Sequence, residues 1–185
     1  MKVCLISPSS PFLISDKVSP PLGILYIAGI VRNLGHEVEV YDCAGKPESL
    51  IYQEIRNLRA DYFGISATSP QYAQADKIAR FLKTCKSHAP IILGGPHISN
   101  LNEFDEELFD IPVVGEGEES IAKILETQQR KGFYYNASAI DNIDRIPFPA
   151  RDLIDITSYN FNIPGSGLKI TTMMTSRGCP YNCAF

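Results

Sequence analysis

Lys2-Val3-Cys4-Leu5-Ile6-Ser7 is a short, nearly continuous apolar run. Such a run suits a strand covered on both faces, as in a parallel sheet. A loop rich in serine and proline follows, from Pro8 to Ser19. Pro20 and Pro21 then open a helix, at the position where a missing N–H costs least. Leu22, Leu25, Tyr26, Ile30 and Leu34 give that helix an apolar face, and Gly35 is its stop signal. Gly23 and Gly29 lie inside it, each at a cost of roughly 1 kcal/mol relative to Ala. Close packing against the sheet accounts for them; the sharper reading is that one makes room for a ligand.

The same strand-to-helix unit recurs along the chain. Glu37–Asp42 alternates like a half-buried or edge strand, and Pro47–Leu58 suits a helix. Asp61–Ser66 reads as a third strand, and Gln71–Lys86 as a helix with Ala75, Ile78, Ala79 and Leu82 on one face. Ile91-Ile92-Leu93 is a fourth strand, running into Gly94-Gly95-Pro96-His97; a short helix is expected over Glu103–Phe109. Pro112-Val113-Val114 is a fifth strand, running into Gly115-Glu116-Gly117-Glu118, with a last helix over Glu119–Gln129. Five strands alternating with helices predict an α/β, doubly wound five-stranded parallel sheet. Right-handed crossovers favour the flavodoxin-like order 2-1-3-4-5, with ligands beyond the carboxyl ends of the strands. Loops 8–19, 66–70, 94–99 and 115–118 converge there.

After Lys131 the periodicity breaks. Residues 1–131 are therefore read as the binding domain, 132–167 as a linker, and 168–185 as the start of a second domain. In the last, Leu168–Ser176 is expected to form a strand feeding a turn at Arg177-Gly178. The chain has 185 residues, 44% hydrophobic and 21% charged, with a net charge of −4. That balance provides no basic field for nucleic acid. No apolar run reaches membrane-spanning length, and the start of the chain is too short in apolar residues for a signal-peptide core. The expected location is the cytoplasm, where five cysteines imply free thiols.

The strand ends narrow the ligand. A phosphorylation receiver needs acidic residues after the first strand, Asp after the third and Lys after the fifth. Here those ends read Ser-Pro-Ser-Ser, Ser-Ala-Thr-Ser and Gly-Glu-Gly-Glu. A flavin phosphate would want N–H donors from the first loop, and Pro8 and Pro11 supply none. The glycine pattern at Gly115 follows the fifth strand, not the first, and its glutamates repel an anion. Glu118 and Glu119 suit a helix start, where the dipole favours negative charge. They would also accept from a ligand rich in amide N–H groups, such as cobalamin. Gly94 and Gly95 allow a bulky, flat ligand to approach the backbone, and Ser66 and Thr68 are placed to bond its buried tail. Gly95→Trp is expected to block this crevice without unfolding the domain.

Pro20-Pro21-Leu22-Gly23, Gly94-Gly95-Pro96-His97 and Gly115-Glu116-Gly117-Glu118 occur in this order ahead of Ile146-Pro147-Phe148-Pro149-Ala150-Arg151 and Thr175-Ser176-Arg177-Gly178-Cys179. Along almost its whole length the chain resembles the N-terminal part of cobalamin-dependent radical S-adenosylmethionine enzymes. The resemblance implies cobalamin contacts from Ser66, Thr68, Gly94, Gly95, Pro96, His97, Gly115, Glu116, Gly117 and Glu118. Classical cobalamin domains carry Asp-x-His-x-x-Gly, whose His binds cobalt from below. Loop 8–19 has no His, and His97 follows Pro96 instead of that motif, so a cofactor without a histidine lower ligand is expected. The alternatives are a module for flavin or another small molecule, and a docking domain that binds nothing.

Cys179-Pro180-Tyr181-Asn182-Cys183-Ala184-Phe185 matches the start of the family's Cys-x-x-x-Cys-x-aromatic-Cys loop. The resemblance implies that Cys179 and Cys183 are two of three thiolates on a 4Fe–4S cluster. The open iron would bind S-adenosylmethionine, with Phe185 near its adenine. The third cysteine would be the residue after Phe185, and the expected partner of this domain is a radical S-adenosylmethionine barrel. Methyl transfer or cyclisation is the implied reaction of the full enzyme. Two cysteines are not expected to hold a cluster, so the 185-residue chain should fold yet be catalytically inert. Anaerobic reconstitution with iron and sulfide should leave no stable cluster absorbance; roughly four irons per chain would overturn that expectation.

Overall fold

In a parallel sheet each strand sends alternate side chains to opposite faces, so both faces need cover. The computed structural model meets that need with two separate cores. It describes all residues except 14, 16, 87, 102, 137–139, 161–169, 179, 180, 182, 184 and 185. The strands are β1 (Lys2–Ser7), β2 (Glu37–Asp42), β3 (Tyr62–Ser66), β4 (Ile91–Gly94), β5 (Ile111–Gly115) and β6 (Tyr134–Asn136). The helices between them are α1 (Leu22–Asn33), α2 (Glu48–Asn57), α3 (Tyr72–Cys85), α4 (Pro96–Leu101) and α5 (Gly117–Thr127). Cys4, Ile6, Phe63, Ile65, Ile91 and Leu93 face α2, α3 and α4, and meet Ile51, Ile55, Ile78, Leu82 and Ile98. Val3, Leu5, Tyr62, Ile92, Ile111 and Val113 face α1 and α5, and meet Leu25, Ala28, Val31, Ile121 and Ile124.

Every pairing is parallel, in the order β2-β1-β3-β4-β5-β6. The expected order 2-1-3-4-5 is therefore present, with a sixth strand added at the edge of β5. That strand lies within 132–167, where the sequence suggested only a linker. Gly132 N–H donates to the Asp110 carbonyl (3.0 Å), which delivers the chain to the open edge of β5. Val113 then pairs in register with Tyr134.

Two other expectations are corrected. The short helix after β4 is Pro96–Leu101, not Glu103–Phe109. Pro96 starts it directly at the strand end, and residues 106–108 form a turn instead. That turn drives Leu108 and Phe109 into the core, where both are buried. The second correction concerns Leu168–Ser176: its described part, 170–176, contains no strand. An extended apolar run becomes a strand only with a ladder partner, and no ladder includes it among the described residues.

The helix glycines separate by role. Gly35, at φ +79°, terminates α1 with its N–H on the Arg32 carbonyl (2.9 Å). A Cβ on Gly29 would lie 2.6 Å from the Phe148 carbonyl oxygen, so Gly29 makes room for backbone, not for a ligand. The 147–153 segment docks there, with Ala150 N–H donating to the Leu25 carbonyl (3.0 Å) and Arg32 paired with Asp152 (2.8 Å). A Cβ on Gly23 would meet nothing within 4 Å. Gly29→Val should therefore lower unfolding free energy by about 1–3 kcal/mol, because a backbone must shift. Gly23→Ala should be neutral or stabilising by up to about 1 kcal/mol. Urea melts of the two variants test the contrast, and equal destabilisation would refute it.

Candidate functional site

At the carboxyl ends of the strands, β1 feeds α1 on one face while β3 feeds α3 on the other. The connections diverge, and the space between them is the natural ligand crevice of such sheets. Two clefts open there and meet at Gly23, Ile24, Ser66 and Pro96. The outer cleft, about 500 Å³, lies under loop 8–19 and reaches Thr68, Gln71 and Tyr159. The inner cleft, about 420 Å³, runs between the sheet and helices α1 and α5. Its floor is apolar, made by Ile24, Ile27, Ile92, Val113, Ile121 and Ile124. Its strand-end wall is built from Gly94, Gly95, Gly115 and Gly117.

The glycines serve different ends. Gly95 has φ +98°, and a Cβ there would lie 2.7 Å from the Ala67 carbonyl oxygen and 2.8 Å from Ser66 Oγ. It is required by the turn itself, where His97 N–H donates to the Ala67 carbonyl (3.0 Å). Substituting Gly95 would therefore strain the fold as well as fill the crevice, contrary to the expectation from sequence. Gly94 has open space where its Cβ would be. Gly115 has φ +86°, with its N–H held by Ser99 Oγ at 3.0 Å. A Cβ on Gly117 would approach Ile27 Cδ1 to 3.0 Å, so this glycine lets α5 close on α1.

Nine of the ten residues expected to contact cobalamin border one or both clefts. Thr68 borders only the outer one. Thr68 N–H and Oγ1–H both donate to Gln71 Oε1 (3.0 and 2.8 Å), and Gln71 Nε2 donates to the Pro8 carbonyl (2.6 Å). This chain of bonds ties the β3 loop to the β1 loop. His97 is the exception: it lines neither cleft. It is buried, stacked on Tyr72 with ring centroids 4.0 Å apart. Its ring nitrogens lie 3.2 Å from Ser69 Oγ and 3.0 Å from the Glu103 carbonyl. Both nitrogens are thus engaged beneath the loop.

Glu116 and Glu118 do face the inner cleft, but they do not face it alone. Arg177 Nη1 lies 2.7 Å from Glu116 Oε2 and 2.7 Å from Glu118 Oε1. Glu118 is only 6% exposed, so its carboxylate depends on that guanidinium. Burial pushes the Glu116 carboxyl above its ordinary value; Arg177 opposes the shift and Glu118 adds to it. The role of Arg177 was missed in the sequence. No periodicity links it to residues about sixty positions away, and only the unbalanced glutamates hinted at a cation. The part played by Ile24 and Ile27 was also missed, because a lipophilic helix face reads as core.

The cysteines differ in their surroundings. Cys4 and Cys43 are buried and Cys85 is half-buried, and burial pushes the Cys4 thiol far above its ordinary value. Cys183 is exposed and free, while Cys179 and Phe185 lie outside the described residues. Among the described residues no group of three or more His, Cys, Asp or Glu is arranged to hold a metal. No helix among them is long and apolar enough to cross a membrane.

Comparison with known proteins places this geometry. An uncharacterized methyltransferase of Pyrococcus horikoshii is 30% identical over the whole chain, which covers 45% of that protein. Hopanoid C-3 methylase of Methylococcus capsulatus is 29% identical over the whole chain, covering 39% of the enzyme. Anaerobic magnesium-protoporphyrin IX monomethyl ester cyclase of Synechocystis is 23% identical, with all of this chain and 42% of the enzyme aligned. The chain thus spans less than half the length of these relatives. The family model for the B12 binding domain matches residues 15–125, which contain α1, the β3 and β4 loops and the Gly115–Glu118 turn. By that match, over more than half of its length, the chain belongs to the B12-binding domain family.

Proposed function

We propose that this chain binds cobalamin across the two joined clefts and serves as the cofactor domain of a radical S-adenosylmethionine enzyme. The observation that carries the reading is the inner cleft, with its apolar floor and its wall of glycines at the strand ends. The residues fit the ligand in two respects. The slot between sheet and α1/α5 suits an aromatic tail, and open space at Gly94 lets the ring system approach backbone. The outer cleft offers the second chamber that so large a molecule needs.

Bound cobalamin would supply a cobalt centre able to carry a methyl group or an electron. The protein's part is to hold, orient and shield. Ser66 stands at the junction of the clefts, Ile24 and Ile27 exclude water from the slot, and the backbone at Gly94 and Gly115 sets the depth of entry. With His97 bonded elsewhere, we read the lower face of the cofactor as lacking a histidine ligand. Cys179 and Cys183 are proposed as two ligands of a 4Fe–4S cluster, and Phe185 as the residue beside the adenine of S-adenosylmethionine. The partner is then a radical S-adenosylmethionine barrel, and the reaction is methyl transfer or cyclisation. The names of the relatives, two methyl-transferring enzymes and a cyclase, support that pair of chemistries.

Titration with hydroxocobalamin should shift the corrinoid spectrum with a Kd in the micromolar range or tighter, about −8 kcal/mol. Gly94→Leu should weaken binding by about tenfold or more, roughly 1.4 kcal/mol, without lowering the melting temperature. His97→Gln should leave the bound spectrum unchanged while costing about 1–2 kcal/mol of stability through its lost hydrogen bonds. Flavin binding in place of cobalamin, or no binding of either, would overturn the reading. A changed cobalt spectrum in His97→Gln would overturn the lower-face assignment.

A further inference from the structure

Arg177 stands two residues before Cys179, yet its side chain is ion-paired on the wall of the inner cleft. Five residues earlier, the Thr172 carbonyl accepts from Arg151 Nη2. Arg151 itself follows the segment seated on α1, through Ala150 N–H to the Leu25 carbonyl (3.0 Å). The strap 170–178 is therefore pinned at two points. One pin leads to α1 and the other to the start of α5, the two helices that flank the inner cleft.

The second pin has the marks of a built receptor. Glu118 is one of few charged or polar residues buried among the described residues, and Glu116 lies beside it. Two neighbouring carboxylates repel unless a cation lies between them. A single guanidinium nitrogen sits 2.7 Å from both. Glu116 precedes α5 and Glu118 lies in its first turn, so the helix dipole already favours these charges. A cation recruited from the strap then satisfies what the helix start has gathered.

We propose that Arg177 is a positioning residue: through Glu116 and Glu118 it docks the strap 170–178 on the wall of the cobalamin cleft, so that filling the cleft and tightening the strap are coupled. This rests on the reading of the cleft given above. Any such coupling is reciprocal: a ligand that tightens the strap binds less well when the strap is released.

Hydrogen exchange of the 185-residue chain, read on peptides covering 170–178, tests this. Arg177→Met and Glu118→Gln should each speed exchange there by about tenfold, and the double variant should add little, because both remove one contact. Arg177→Lys should restore part of the protection. Thermal melts by circular dichroism establish that each variant is folded. Parent-like exchange in Arg177→Met, or fully additive effects, would overturn the clasp. Hydroxocobalamin should slow exchange of 170–178 further in the parent chain but not in Arg177→Met. Binding with equal slowing in both would overturn the coupling and leave the cobalamin reading intact. Failure of the parent to bind hydroxocobalamin would overturn the cobalamin reading and the coupling with it, while exchange in the unliganded variants would still decide the clasp.

Discussion

The helix after β1 and the helix after β3 pack on opposite faces of one sheet, although the two strands are neighbours. Their connections must part at the carboxyl edge and leave a gap between them. Loop 8–19, the Thr68–Gln71 bonds and the glycine turns after β4 and β5 are all arranged around that opening. The cleft is thus a by-product of strand order, and the residues decide only what it accepts. Its walls are apolar where α1 and α5 approach and bare backbone where the strands end.

Much of this could be read from the sequence, for a physical reason. Strands covered on both faces must be apolar throughout, and β1, β2 and β3 carry that pattern or its edge-strand variant so clearly that their limits fall within a residue of expectation. Helices α1, α2, α3 and α5 were equally plain in extent, although α1 buries Ile24, Ala28 and Val31 and leaves Leu34, read as part of its apolar face, exposed. The misses have a common cause. Helix α4 is six residues long, too short for periodicity to mark it. Strand β6 exists only because β5 leaves an edge open, a fact about a neighbour. The run Leu168–Ser176 has strand composition, and composition does not supply a ladder partner. The candidate site was legible through its glycines, but their separate roles were not. Gly94 and Gly95 are adjacent and look alike, yet one faces open space and the other is held by the Ala67 backbone.

Electrostatics refine the picture at one place. The Gly115–Glu118 turn suggests acceptors waiting for a ligand's amides, yet both carboxylates are turned to Arg177. The change matters because an ion pair at the cleft wall is shielded from water on its protein side, and its strength responds to whatever enters the cleft. The wall is therefore sensitive to its contents in a way that a neutral turn would not be.

Gly29 has a consequence of another kind. The Phe148 carbonyl rests where a Cβ would be, while the Phe148 ring itself is 93% exposed. The contact is thus between two main chains, and no choice of side chain at 148 can relieve it. A larger residue at 29 becomes tolerable only if the 147–150 segment takes a different path over α1. Positions 29 and 147–150 are epistatic: the history of one constrains the other, and drift at either is conditional on a rearrangement at both.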